Sequence, residues 1–222
     1  MKDIYVLAID GGSATGKTTL AKSIGKNLNI LYIDTGAMYR VTALYFLEKN
    51  IELTDKNIKA NIDNIKINIK YIDGIMRIFL NNQDVTEQIR KNEVSMAASN
   101  VSTYKLVRDK LVSMQRKMAE NESVVLEGRD IGSVVFPNAD LKIFLTASID
   151  QRAKRRKHDL EKKGEFISLT QIKEELEKRD LQDSTRKESP LKISDDSILI
   201  DTTNLSKEAT VNKVIKLLKE RI

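Results

Sequence analysis

The sequence predicts an α/β fold: a doubly wound, five-stranded parallel sheet flanked by helices, with a small antiparallel β insert. Three observations predict it. A short apolar run at residues 4–9 leads into Gly11-Gly12-Ser13-Ala14-Thr15-Gly16-Lys17-Thr18 and then into a helical pattern. Along the rest of the 222 residues, apolar runs bounded by turn residues alternate with helical stretches. One segment, near residues 62–95, breaks that rhythm with period-two alternation.

Ile4-Tyr5-Val6-Leu7-Ala8-Ile9 is rich in β-branched residues and reads as a buried strand. A helical pattern begins at Thr18-Thr19-Leu20-Ala21-Lys22-Ser23-Ile24. Residues 28–33 read as a second strand that ends at Asp34-Thr35-Gly36. Residues 37–49 follow as a helix, because Met38, Val41, Leu44, Tyr45 and Leu47 form an apolar stripe. Then Ile65, Ile67, Ile69 and Tyr71 alternate with Lys66, Asn68 and Lys70. Asp73-Gly74 signals a hairpin, residues 75–80 a return strand, and Asn81-Asn82 another turn. Helical character returns over residues 93–120. Residues 123–127 form the third core strand, closed by Gly128-Arg129-Asp130, and residues 141–145 the fourth. Residues 149–161 and 169–183 are charged helices joined by a loop containing Gly164. Residues 197–200 are the last strand and 207–222 the closing helix. In such a sheet, ligands gather beyond the carboxyl ends of the strands, where these motifs fall.

The eight residues from Gly11 to Thr18 fit G-x-x-x-x-G-K-[ST] at every specified position. Strand, glycine-rich turn and helix let successive backbone N–H groups surround a polyphosphate at a helix N-terminus. The loop and Thr19 beside it are therefore expected to hold a nucleoside triphosphate. Lys17 would neutralise the β- and γ-phosphates, and the Thr18 hydroxyl would ligate Mg²⁺.

Composition narrows the class. A 41% hydrophobic fraction is ordinary for a globular chain. No apolar run approaches the roughly 20 residues that span a bilayer. The first residues lead directly into a strand, so no signal peptide and no membrane partner are expected. The absence of cysteine excludes disulfide and thiolate chemistry and fits a cytoplasmic protein. The one histidine, His158, lies in a charged stretch, which excludes Ser-His and multi-His metal mechanisms. Net charge is +6, which fits either nucleic acid or anionic small substrates with magnesium. The arginines favour small substrates, because many sit at motif positions and not in one basic tract. Aromatics are few, so no platform for stacking bases is visible.

Arg40 lies one helical turn beyond Gly36 and can face the same cleft. Arg129 directly follows a buried strand. Arg179, Asp183 and Arg186 stand at i, i+4 and i+7, which places them on one helix face, either as a solvated salt-bridge stripe or as a ligand surface. Arg152, Arg155 and Arg156 stand at i, i+3 and i+4, again as one basic face or as an ordinary charged one.

The loop sequence, Asp34-Thr35-Gly36-Ala37-Met38-Tyr39-Arg40, Gly128-Arg129-Asp130-Ile131-Gly132 and Arg179-Asp180-x-x-Asp183-x-x-Arg186 together resemble the bacterial cytidylate kinases, among the P-loop nucleoside monophosphate kinases. The resemblance runs over essentially the whole chain, and the 62–95 insert is similar to the extra, acceptor-binding segment of the bacterial enzymes. It implies a single P-loop kinase chain, with a core at 1–61, 96–148 and 187–222, and a lid with flanking helices at 149–186. It implies transfer of the γ-phosphoryl of ATP to CMP and dCMP, in pyrimidine nucleotide metabolism, by a monomer. Asp130 and Arg108 match the residues that read cytosine, and Ser99 adds a contact at the amino group. Asp183 matches the ribose-binding residue, with Arg179 beside it. Arg40, Arg129 and Arg186 match the arginines around the acceptor and transferred phosphates, and Thr35 keeps a hydroxyl where some relatives carry serine. In the lid, Arg152 and Arg156 are implied at the triphosphate. The resemblance makes Lys17, Arg129, Arg186 and Arg152 the catalytic set. Glu127 departs from the expected aspartate but is expected to hold magnesium through water.

Rival readings are a kinase for UMP, AMP or a non-nucleotide acceptor, and a P-loop regulator or nucleic-acid ATPase. Asp130 and the insert argue against the first. For the second, the N-K-x-D element of a guanine-nucleotide switch is missing.

Overall fold

The computed structural model describes residues 4–72 and 74–222, so Asp73 of the expected Asp73-Gly74 turn lies outside the described residues. In chain order the elements are β1 (Val6–Gly11), α1 (Lys17–Leu28), β2 (Leu31–Asp34), α2 (Thr35–Glu48), α3 (Asp55–Asn61), β3 (Ile67–Ile72), β4 (Ile75–Leu80), β5 (Gln83–Asp84), α4 (Asn92–Val101), α5 (Lys105–Met118), β6 (Val124–Gly128), β7 (Leu141–Thr146), α6 (Ile149–Glu161), α7 (Leu169–Thr185), β8 (Ile198–Asp201) and α8 (Lys207–Lys219). A single π turn, Ile131–Val135, follows β6.

The parallel sheet has the order β2-β6-β1-β7-β8. The chain leaves β1 toward β2 on one side and passes from β6 to β7 on the other. The end of β1 is therefore a topological switch point, the place where open α/β sheets bind ligands. Apolar β-branched runs form the inner strands because both sheet faces are covered. Leu7, Ala8, Ile9, Val124, Val125, Leu126, Leu141, Ile143 and Leu145 are all fully buried.

The chain divides into two compact units, Met1–Tyr32 with Asn121–Ile222, and Ile33–Glu120. In the first, α1 packs on β6 and α8 and buries Leu20, Ala21 and Ile24. Helices α6 and α7 pack together around Ala153, Leu160, Ile172 and Leu176, and Ala14 of the glycine-rich loop packs against that cluster. The second unit has its own core, centred on α2, which buries nine of its residues, Phe46 and Met38 among them. Helix α4 and strand β4 pack on α2. The antiparallel segment is three-stranded, β3-β4-β5, with Ile72 opposite Ile75 at the hairpin end and Gly74 at φ 73°.

Several expectations need correction. The helical character over residues 93–120 resolves into two helices, α4 and α5. Ser102 Oγ donates to Ser99 O and Thr103 Oγ1 to Asn100 O, and such bonds compete with helix continuation. Strand β1 starts at Val6 and extends to Gly11, because Asp10 and Gly11 still pair with Phe144 and Leu145. Strand β2 starts only at Leu31, because Asn29 ends α1 in the left-handed conformation. Arg186 is off the helix face expected for it. It is the residue after Thr185, at φ −59° and ψ 143°, where the backbone has left the helix. Helix α3, strand β5 and the Ile131–Val135 turn are additions that sequence patterning did not indicate.

Gly11 shows why the loop needs glycine. Its φ is 146°, and a Cβ there would stand 2.2 Å from Leu145 O. Gly11→Ala is expected to destabilise the protein by on the order of 3 kcal/mol, through strain and displacement of β7. A denaturant midpoint equal to wild type would refute this.

Candidate active site

The glycine-rich loop joins β1 to α1. Gly16 opens α1 at φ 100°, and no side chain caps the helix. The first-turn N–H groups have no capping side chain and no acidic neighbour in the turn, which suits them to phosphate oxygens. Lys17 is 5% exposed and its Nζ donates to Gly12 O at 2.6 Å. Its pKa is lowered to about 7, chiefly by burial and further by Arg129 and Arg179, against the opposing pull of Glu127 and Asp10. Thr15 Oγ1 donates to Gly12 O, and Thr15 O accepts from Thr202 Oγ1 at 2.9 Å. Thr18 and Thr19 are exposed in the first turn of α1.

Around this loop the first unit assembles most of the expected charged residues. Asp183, on α7, is the hub. Arg129 Nε donates to Asp183 Oδ2 at 2.8 Å, Arg186 Nη1 lies 3.8 Å from its Oδ1, and Arg179 Nε 4.0 Å from Oδ2. Burial would raise the Asp183 pKa, but the three guanidinium groups outweigh it and hold the carboxyl below its ordinary value. Arg186 Nη2 also stands 3.7 Å from Asp130 Oδ1. The solvated-stripe alternative fails for Asp183 and Arg186, both buried. Arg152, on α6, donates to Asp180 Oδ2 at 2.5 Å and to Ser13 O at 3.4 Å. Arg156 is half-buried on the same helix. Glu127, at the end of β6, is buried and accepts from Tyr32 Oη at 3.2 Å.

The second unit carries the other expected residues. Asp34 caps α2 by accepting from Ala37 N, and its Oδ2 pairs with Arg40 Nη2 at 2.7 Å. Thr35 is buried in the first turn. Ser99 on α4 and Arg108 on α5 are 5% and 3% exposed. Arg108 Nη1 donates to Ser102 O, and its guanidinium lies 5.5 Å from the Tyr39 ring centre. The Arg108 guanidinium is thus nearly buried and braced on an aromatic face.

Sequence reasoning gave no role to Asp10, Asp180 or Thr202, and named Arg155 only as part of a basic face. Asp10 lies at the end of β1 and accepts from two backbone N–H groups of the turn after Asp130. Its signal was a carboxylate closing an otherwise apolar strand. Asp180 holds Arg152. Arg155 donates to Thr15 O, Thr202 Oγ1 and Thr202 O, bracing the loop from behind. Thr202 gave no local signal.

Residues 7–220 match the family model described as cytidylate kinase. The chain belongs to the cytidylate kinase family. It is 46% identical over 219 residues to a cytidylate kinase of Fusobacterium nucleatum, covering 98% of this chain and 99% of that one. It is 40% identical over 218 residues to a cytidylate kinase of Thermotoga maritima, covering 98% of each. Among solved structures it resembles a gluconokinase from Sinorhizobium meliloti, with a TM-score of 0.52 at 13% identity, over 99% of this chain and 94% of the other. That likeness concerns the fold. Membership of the cytidylate kinase family makes the chain an ATP-dependent phosphotransferase.

The oxygen donors fit magnesium. The Thr18 hydroxyl and the Glu127 carboxylate would offer hard oxygen donors to such an ion. Among the described residues no group of three or more His, Cys, Asp or Glu side chains is placed to hold a metal ion by itself.

Proposed function

We propose that this kinase takes dCMP as well as CMP, with magnesium, and that its side chains divide the work between donor and acceptor. The chain transfers the γ-phosphoryl of ATP to CMP, giving ADP and CDP. An oxygen of the acceptor phosphate bonds to the γ-phosphorus as the bond to the β–γ bridging oxygen breaks, and ADP leaves. No general base is needed, because a phosphate with a second pKa near 6 is mostly dianionic at neutral pH. Catalysis is then alignment and charge neutralisation.

Gly11, Gly12, Ser13, Ala14, Thr15, Gly16, Lys17, Thr18 and Thr19 hold the triphosphate, joined by Arg152 and Arg156 from α6. Lys17, Arg129, Arg152 and Arg186 neutralise charge on the transferring group. Thr18 would hold magnesium directly and Glu127 through water, and the ion would supply further charge neutralisation at the phosphate oxygens. Arg40, Arg129 and Thr35 bind the acceptor phosphate, and Asp183 with Arg179 the ribose. Asp130 accepts from the exocyclic amino group of cytosine, with Ser99 beside it, and Arg108 donates to N3 and O2. We read the enzyme as a cytoplasmic monomer of pyrimidine nucleotide metabolism, without nucleic-acid or membrane partners. No helix among the described residues is long and apolar enough to cross a membrane.

The observation that carries this reading is the buried Lys17 at an uncapped helix start, with Arg129 and Arg179 close enough to depress its pKa. The test is ADP release from ATP and Mg²⁺ with CMP, dCMP, UMP, AMP and GMP offered separately. CMP and dCMP are expected to exceed UMP in kcat/KM by about a hundredfold, since uracil presents an oxygen to the Asp130 carboxylate. Equal turnover of CMP and UMP would remove the role given to Asp130.

A further inference from the structure

Asp130 opens the Ile131–Val135 turn, and its carbonyl accepts from Val134 N at 2.9 Å and Val135 N at 3.2 Å. An aspartate at such a position ordinarily turns its own carboxylate onto the first free N–H groups. Asp130 makes no such cap bond. The N–H groups of Ile131 and Gly132 go to Asp10, at 2.8 Å to Oδ1 and 2.7 Å to Oδ2. Both oxygens of one carboxylate are thus engaged by a turn more than a hundred residues away in the chain. Asp10 is 7% exposed and stands on β1 directly before Gly11. A Cβ on Gly132 would lie 3.0 Å from Lys142 Cδ and 3.4 Å from Asp10 Oδ2, so the turn is seated closely on both.

We propose that Asp10 is a positioning residue for acceptor specificity: it caps the Ile131–Val135 turn in place of Asp130 and leaves the Asp130 carboxylate for the base. The inference rests on the reading of Asp130 as the contact to cytosine. The physical argument is competition for one carboxylate. Two buried N–H groups must have an acceptor. If Asp10 cannot serve both, Asp130, which directly precedes the turn, can rotate its carboxylate toward the Gly132 N–H, and a carboxylate turned back on the turn is withdrawn from the base. Because Asp10 also precedes the glycine-rich loop, the strand that presents the donor loop is the one that fixes the acceptor-reading residue.

Asp10→Asn is the informative variant, since it keeps the shape but offers one acceptor oxygen and an amide NH₂ that opposes the second N–H. The measurement is the ratio of kcat/KM for CMP to that for UMP, in wild type, Asp10→Asn, Asp130→Asn and the double variant. The ratio cancels the fraction of folded enzyme. Asp10→Asn is expected to lower it about tenfold or more, with the KM for ATP within about twofold of wild type. In the Asp130→Asn background the same change should leave the ratio where Asp130→Asn put it. Should Asp10→Asn yield no soluble enzyme, Asp10→Glu keeps the charge but misplaces it, and a lowered ratio is expected there too. A wild-type ratio in the Asp10 variant defeats the inference while sparing the role of Asp130. An equal loss in both backgrounds also defeats it, because Asp10 would then act independently of Asp130. A wild-type ratio in Asp130→Asn removes the underlying reading, and the inference with it.

Discussion

Replacing Arg129 by alanine should lower kcat by about a thousandfold while leaving ATP affinity within a few-fold. Arg129 follows β6 directly, so the sheet fixes its backbone, and its Nε is held by Asp183 at 2.8 Å. The side chain is 18% exposed, and Asp183 keeps its pKa above the ordinary value despite burial. Such a group is charged and oriented before any phosphate arrives, the condition under which electrostatic stabilisation is largest. The backbone N–H groups of α1 and Lys17 remain to bind ATP, so turnover and binding should separate. Arg129→Lys should recover little, because an ammonium cannot hold Asp183 and a phosphate in one planar fork. The checks are kcat at saturating CMP and calorimetric binding of a non-hydrolysable ATP analogue. Lost ATP binding with unchanged kcat would place Arg129 on the donor, not at the transferring group.

The sheet was legible because its strands are short apolar runs between turn residues, a pattern that depends only on neighbours in the chain. Residues 75–80 and the alternation before them gave the hairpin for the same reason. What was illegible depended on distant partners or on side chains bonding locally to the backbone. The break between α4 and α5 rests on the Ser102 and Thr103 hydroxyls, whose competition with the helix is invisible to apolar periodicity. Helix α2 read as a stripe, yet it is buried almost all round because a second core forms about it.

The site divides in the same way. The loop from Gly11 to Thr18 was readable because contiguous residues make the whole motif. Arg179 and Asp183 kept their helical spacing, whereas Arg186 reaches Asp183 from beyond the helix end. Three arginines at i, i+3 and i+4 on α6 could not be told apart by spacing. Packing separates them, turning Arg152 toward Ser13 and Asp180, and Arg155 toward Thr15 and Thr202. Asp10 was overlooked because its partners lie 121 and 122 residues away.

Lys17→Met should lower kcat by about a thousandfold and yet raise thermal stability at neutral and acid pH. The pKa of Lys17 falls from an ordinary 10.5 to about 7 in the folded protein, chiefly through burial. Below about pH 7 the group is charged in both states, and the folded state bears the full penalty of a buried ammonium. Between about 7 and 10.5 the unfolded chain holds a proton that the folded chain has released, so stability rises with pH across that window. Methionine removes the penalty, and its advantage in Tm should be largest below pH 7 and shrink toward alkaline pH. Melting curves of both proteins at pH 6 and pH 9, without nucleotide, test the sign. A triphosphate reverses the balance, because its negative charge beside Nζ favours the ammonium. At pH 8, ATP binding should therefore take up most of a proton in the wild type and none in Lys17→Met, read as a dependence of calorimetric enthalpy on buffer ionisation heat. Equal proton uptake in the two proteins would mean that Lys17 meets the phosphates already charged, and that its burial against Gly12 does not depress its pKa.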